Sequence, residues 1–213
     1  MKEAWEEQYK EKAPWNYDGF DKDLRKFLSD KFYHTRILEI IDLGCGNGSQ
    51  VFNMEKCGFQ VTGTDIVNAL EYDIKDFIID DALDSKLSKK YDVIVDRGLI
   101  HNLFHLKKKR HKYFEMIGNI THDNSYIFLK VLSPYEARFN PVTHSGPYRF
   151  SEHQLNNFYN AFGFECIELK DTYYYTNLQP HLLPLQKLVF YNQNHDFLPT
   201  LHTLQCSNHP RRH

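Results

Sequence analysis

From residue 37 onward the chain alternates short apolar runs with amphipathic stretches. Residues 37–42 (ILEIID), 59–65 (FQVTGTD), 76–80 (DFIID), 91–96 (YDVIVD) and 125–132 (SYIFLKVL) each read as a strand. The last is continuous in the way of parallel strands covered on both faces. Residues 164–169 and 185–191 look like a closing pair of strands. Between these runs, 47–57 has a helical pattern, and so does a segment carrying Tyr113, Phe114, Ile117 and Ile120. Ser151-Glu152-His153-Gln154 is a capping box and opens a helix over 152–161. Such alternation predicts an α/β fold: a Rossmann-like, seven-stranded, mostly parallel sheet with helices on both faces and an antiparallel last strand. Helical patterns over 3–12 and 21–33, joined by a turn holding Pro14 and Gly19, predict a separate helical cover or lid over residues 1–36. The ligand-binding domain is then 37–192, and 193–213 is a polar C-terminal tail.

Composition narrows the class. A chain of 213 residues with 41% apolar and 25% charged residues has enough apolar material for one sizeable core. A net charge of −2 and a pI near 6.6 argue against binding nucleic acid through bulk charge. The longest apolar runs fall far short of a membrane span, and the start MKEAWEEQYK lacks the apolar segment of a secretory signal. Cys45, Cys57, Cys166 and Cys206 are scattered without a CxxC, so neither a disulfide framework nor a metal site is expected. The expected compartment is the cytoplasm.

The strongest chemical signal is Asp42-Leu43-Gly44-Cys45-Gly46-Asn47-Gly48, an apolar strand ending in an acid and a glycine-dense turn that opens a helix. Glycines let backbone approach a ligand without a Cβ in the way, and in a doubly wound sheet this turn lies at the ligand crevice. A dinucleotide needs G-x-G-x-x-G and places its pyrophosphate here. The spacing is instead G-x-G-x-G, and Asp42 would repel a pyrophosphate. The same carboxylate complements S-adenosylmethionine (SAM), whose sulfonium and ammonium are cationic. Asp65, closing the second strand, can accept both ribose hydroxyls, with Ile66 beside it; Asp81 can accept from an adenine amino group while Ala82 offers its N–H to the ring. Asp80 competes with Asp81 for that place. Each acid alone reads more readily as a solvated loop residue or a helix cap; three at the ends of consecutive strands point to a nucleoside.

At these residues the sequence resembles the class I SAM-dependent methyltransferases, over about residues 15–191. Within that superfamily it looks like the thiopurine S-methyltransferase branch of small-molecule enzymes, through YDVIVDRG (91–98), GPYRFSEHQL (146–155) and Pro14-Trp15. Thr121-His122-Asp123-Asn124 stands where the family often has a Pro-Gly-Gly turn, and it is expected to turn as well. The resemblance implies that Asp96, Arg97 and Gly98 line the donor and acceptor pocket, with Asp96 shared between cofactor and catalysis.

Methyl transfer from a sulfonium asks chiefly for alignment and exclusion of water. A thiol, partly ionised at neutral pH, can dispense with a base. His101 is the candidate general base, against a reading as a polar residue packed on the following helix. Arg138 and Arg149, in or beside the long loop 133–150, pair with an acidic acceptor on one reading and form surface salt bridges on the other. Trp15 is expected to close over SAM; Tyr9 reads as an anchor of the cover. His105 reads as exposed, the basic run 107–112 as a solvated helix face, Tyr173-Tyr174-Tyr175 as core, and Cys45 as a small residue packed under the cofactor. The function expected is SAM-dependent methylation of a small molecule bearing a thiol or other soft nucleophile, with no membrane or nucleic-acid partner. The alternatives are an RNA or protein methyltransferase and a catalytically silent SAM-binding module.

Overall fold

The computed structural model describes residues 2–10, 13, 15–32, 38–134, 147–176 and 179–192. Six helices and seven strands follow in the order α1 (Lys2–Tyr9), α2 (Lys22–Phe32), β1 (Glu39–Leu43), α3 (Ser49–Lys56), β2 (Gln60–Asp65), β3 (Phe77–Ile79), β4 (Tyr91–Arg97), α4 (Leu99–Leu103), α5 (Arg110–Ile120), β5 (Thr121–Leu132), α6 (Glu152–Asn160), β6 (Phe164–Thr176) and β7 (Gln179–Asn192). The strands lie in the order β3-β2-β1-β4-β5-β7-β6. Those from β3 to β5 pair in parallel, and β7 runs antiparallel to both neighbours. The Rossmann-like, mostly parallel sheet with flanking helices is therefore as expected.

The continuous apolar strands feed two cores. Ile41, Ile94, Ile127 and Leu129 face α4, α5 and α6, where they meet Ile100, Phe114, Ile117 and Leu155. Ile40, Val93, Val95 and Phe128 point the other way, toward α2 and α3, and meet Leu24, Phe27, Leu28, Val51 and Met54. Adjacent residues of one strand thus serve opposite faces, which is why these strands show no polar alternation.

Residues 121–124 differ from expectation. They continue β5 instead of forming a separate turn, yet the register slips between Tyr91 and Val93 and Asn124 adopts φ 70°. Asn tolerates this left-handed conformation better than most side chains. The Ser125 hydroxyl donates to the Tyr91 carbonyl (2.7 Å) and ties the irregular end to β4.

α2 is part of the main core. Leu24, Phe27 and Leu28 are buried, and the Phe27 ring lies 5.6 Å from that of Phe128. Asp21 caps α2 by accepting from the Asp23 and Leu24 N–H groups (3.0 and 3.1 Å). The same carboxylate receives the fully buried Lys130 ammonium of β5 (2.8 and 2.7 Å) and the Arg97 Nε of β4 (3.2 Å). Lys130 also pairs with Asp23 (2.7 Å). Gln50 on α3 accepts from the Asp21 N–H (2.8 Å) and donates to the Gly19 carbonyl (2.7 Å). By contrast α1 buries no residue. Among the described residues, no helix is long and apolar enough to cross a membrane.

Candidate active site

The carboxyl ends of β1, β2, β4 and β5 open on one cavity of about 1080 Å³, at the reversal of strand order between β1 and β4. Its border brings together Trp15, Asp42, Gly44, Cys45, Gly46, Asp65, Ile66, Asp81, Ala82, Arg97 and His101, residues that the motif reading selects from distant parts of the chain.

Asp42 is buried at the penultimate position of β1, and no hydrogen bond from the described residues ends on its carboxylate. Burial pushes that carboxyl up to about 7; Arg97 pulls it back, and Asp96 and Asp65 add to the rise. Beyond β1 the backbone turns through Gly44 at φ 67° and Gly46 at φ 57°, and a Cβ on Gly46 would stand 3.3 Å from the Tyr9 hydroxyl. Asp65 braces this turn. Its carboxylate accepts from the Gly46 N–H (3.0 Å) and the Val67 N–H (3.3 Å). Burial raises its pKa, opposed by those amides and that of Ile66. Asp81 accepts from the Leu83 N–H (2.9 Å) and Asp80 from the Lys86 N–H (2.9 Å). Both acids border the cavity, so the choice between them stays open. The Cys45 sulfur packs against Gly63, and burial pushes its thiol pKa up, as suits an inert residue beneath the turn.

Two expected site residues do not border the cavity. Gly48 has φ 83°, and a Cβ there would stand 2.8 Å from Leu70 Cδ2. Its missing side chain starts α3 and makes room for Leu70, not for a ligand. Asp96 is wholly buried, and its oxygens accept from the Gly98, Leu99 and Ile100 N–H groups (3.1, 2.7 and 3.0 Å) and from the Tyr113 hydroxyl (2.8 Å). Burial still pushes its carboxyl up to about 6 against these donors. Asp96 holds the start of α4 and is a positioning residue, not a group facing the reaction.

α4 presents His101. Gly98, at φ 111°, lets the imidazole lie against the backbone, where a Cβ would stand 3.1 Å from its Nε2. His101 is buried with Nδ1 unpartnered. Burial, helped by the Arg149 cation, pushes its pKa down to about 3, so it is neutral. Arg149 also borders the cavity and donates from Nη1 to the Pro147 carbonyl (2.6 Å). Arg138 lies outside the described residues. His105 is exposed, as expected, yet sits on the cavity rim, and Lys107, Lys108, Lys109, His111 and Lys112 beyond it are exposed.

The mouth carries an aromatic group that includes one unforeseen member. Trp5 and Tyr9 on α1 stand with Trp15 at ring separations of 6.0–6.3 Å, and all three border the cavity. Trp5 is signalled by its i, i+4 spacing to Tyr9; Tyr9 belongs to the cavity more than its reading as an anchor allowed. The Ser49 hydroxyl donates to the Tyr17 carbonyl (2.7 Å) and, with Gln50, holds the segment that bears Trp15. Tyr173 is 46% exposed on the sheet edge, not core; the side chains of Tyr174 and Tyr175 lie outside the described residues. Among the described residues, no cluster of three or more His, Cys, Asp or Glu is placed to hold a metal ion.

The donor set fits SAM. A buried carboxylate with no donor among the described residues stands beside a turn that carries no side chain at Gly44 and Gly46, and Asp65, Asp80 and Asp81 follow along the sheet. A family profile described as "Methyltransferase domain" matches residues 8–169. No curated protein sequence matches the chain. Among solved structures, a SAM-dependent methyltransferase from Anabaena variabilis is 14% identical, with TM-score 0.68 over 90% of this chain and 93% of that one. The didemethyltoxoflavin N1-methyltransferase of Burkholderia thailandensis, solved with S-adenosylhomocysteine, is 13% identical, with TM-score 0.64 over 91% and 87%. A protein described by the conversion of a disulfide bond into a thioacetal group during echinomycin biosynthesis is 16% identical, with TM-score 0.67 over 91% and 93%.

Proposed function

The chain belongs to the methyltransferase-domain family and is a SAM-dependent methyltransferase, and we propose that its acceptor is a small molecule presenting a thiol or other soft nucleophile, as in the thiopurine S-methyltransferase-like branch. The cavity carries this reading. It is continuous from the acids at β1–β3 to His101 and Arg149, and at about 1080 Å³ it holds a nucleoside donor with room for a second small molecule.

Asp42, Gly44, Gly46 and Asp65 would hold SAM, with Ile66, Asp81 and Ala82 toward its base and Trp15, Tyr9 and Trp5 over it. When bound, SAM supplies an electrophilic methyl: the acceptor's nucleophile bonds to the methyl carbon as the carbon–sulfur bond breaks with its electrons onto the departing thioether. The protein's part is orientation and exclusion of water. Asp42 offers a carboxylate to the donor's positive charge, and the aromatic mouth keeps water out. With its pKa pushed down to about 3 by burial, His101 accepts a proton poorly, so it borders the acceptor end of the cavity as a neutral group and not as a general base. The nucleophile then arrives already deprotonated, which suits a thiol. The sulfur chemistry named for one fold neighbour supports the same choice.

The test is calorimetric titration with SAM and S-adenosylhomocysteine, followed by a methyl-release screen over thiols, amines and carboxylates. Binding of both nucleosides and turnover on thiols are expected. Failure to bind SAM, or turnover confined to amines or to macromolecules, would overturn the reading.

A further inference from the structure

Away from the acids of β1–β3, the cavity runs against apolar side chains. Leu99 and Leu103 of α4, Leu106 just after it, Met116 of α5 and Leu132 at the end of β5 all border it. Leu103, Met116 and Leu132 are only 5%, 3% and 7% exposed. Leu103 and Met116 belong to the main core between the sheet and α4–α6, and Leu99 and Leu106 pack against that core. This wall is therefore core surface that faces the cavity. Leu99 marks where it begins: a Cβ on Gly44 would stand 3.3 Å from Leu99 Cβ, so this side chain lies directly beside the turn that takes the donor.

The polar residues interspersed there are tied to backbone. The Asn102 amide donates to the Gly98 carbonyl (2.8 Å) and Arg149 Nη1 to the Pro147 carbonyl (2.6 Å), so both steady the wall in which they stand. His101 lies against Gly98 and is neutral, its pKa pushed down to about 3 by burial. An apolar group can rest on a neutral imidazole without burying a charge. Met116 adds adaptability, since an unbranched thioether with three rotatable bonds moulds itself to an irregular apolar partner.

Resting on the methyltransferase reading above, we propose that the acceptor carries an uncharged hydrocarbon body, lodged against Leu103, Leu106, Met116 and Leu132, with its nucleophile turned toward Leu99 and the donor. The hydrophobic effect then supplies the binding energy at a distance from the reacting atom, and that energy holds the nucleophile in line with the methyl. Met116 and Leu106 are the specificity-determining residues, because each meets the body and neither touches the acids that take the donor. A short polar acceptor fills this end poorly and is selected against.

The experiment uses ethanethiol, butanethiol and hexanethiol at saturating SAM, with the full chain and with Met116→Gln and Leu106→Gln. The three thiols share one reacting group and differ only in the body. In the wild type kcat/KM is expected to rise about fourfold per methylene along the series. Met116→Gln keeps the length of the side chain and makes its end polar; Leu106→Gln does so at a half-buried position that tolerates the change more easily. Either is expected to flatten the rise to within about twofold per methylene. S-adenosylhomocysteine titration of each variant separates loss of the fold from loss of body recognition. A flat series in the wild type, or a slope that neither nucleoside-binding variant lowers, would overturn the proposal while leaving thiol methylation intact. If no thiol is methylated, the thiol reading fails, and 1-hexanol and 1,6-hexanediol titrated into the S-adenosylhomocysteine complex decide this one separately. Tighter binding of 1-hexanol, reduced in either variant, sustains it; equal binding, or none, overturns it.

Discussion

Asp42 is an acid that folding places at a disadvantage. Its ordinary pKa of 3.8 rises to about 7 on burial, so between those values the folded chain holds a proton that the unfolded chain has lost. Its contribution to stability is full below about pH 4 and falls as pH rises toward 7. Asp96, raised to about 6, acts in the same direction over a narrower range. Asp42→Asn should therefore make the ligand-free protein lose less stability between pH 4 and 7, measured by denaturant unfolding across that range. The same substitution should weaken SAM binding by about tenfold or more, because the donor's cation needs the ionised form. Wild-type SAM binding at pH 6 should release protons, seen as buffer-dependent heats in calorimetry, and a binding heat independent of buffer would refute the assignment. The glycine turn and its acids could be picked out because they recur together at the ends of consecutive apolar strands, and the structure gathers them on one cavity. Gly48 and Asp96 were misjudged since a residue type states what a backbone needs, not which way the cavity lies. Both turned out to serve the start of a helix.

Helix starts are where the sequence was most and least informative. The Ser151–Gln154 capping box is formed in both directions, with the Ser151 hydroxyl accepting from the Gln154 N–H and the Gln154 side chain accepting from the Ser151 N–H. Ser151→Ala should cost about 1 kcal/mol and lower Tm by roughly 2–4 °C in a chain of this size, checked by thermal melts. An unchanged Tm would mean that the cap does not limit α6. α4 escaped the reading of periodicity because five residues are too few to show one. Its cap stands two residues early, at Asp96, and is completed from α5 by Tyr113. That last contact depends on tertiary packing and has no local signature. α1 was legible as a helix, yet its task was not: Trp5 and Tyr9 find their place only once the cavity exists.

The sheet as a whole was readable from its apolar runs, since a parallel strand buried on two faces has little other way to look. What the pattern could not supply was the depth at which the first segment is embedded. The cover expected over residues 1–36 includes α2, whose apolar face belongs to the core, and Asp21, whose carboxylate meets Lys130 and Arg97. Lys130→Met should strand the buried carboxylates and cost about 3–5 kcal/mol, seen as a lower denaturant midpoint. A loss under about 1 kcal/mol would show that the charges are solvated and that the pairing is weak.

That ion-pair knot also sets a timetable for biosynthesis. Asp21 and Lys130 are 109 positions apart, so a nascent polypeptide leaving the ribosome displays the acid long before its ammonium partner has been translated. The Asp21 carboxylate at the start of α2 cannot meet its ammonium partner until β5 has been made.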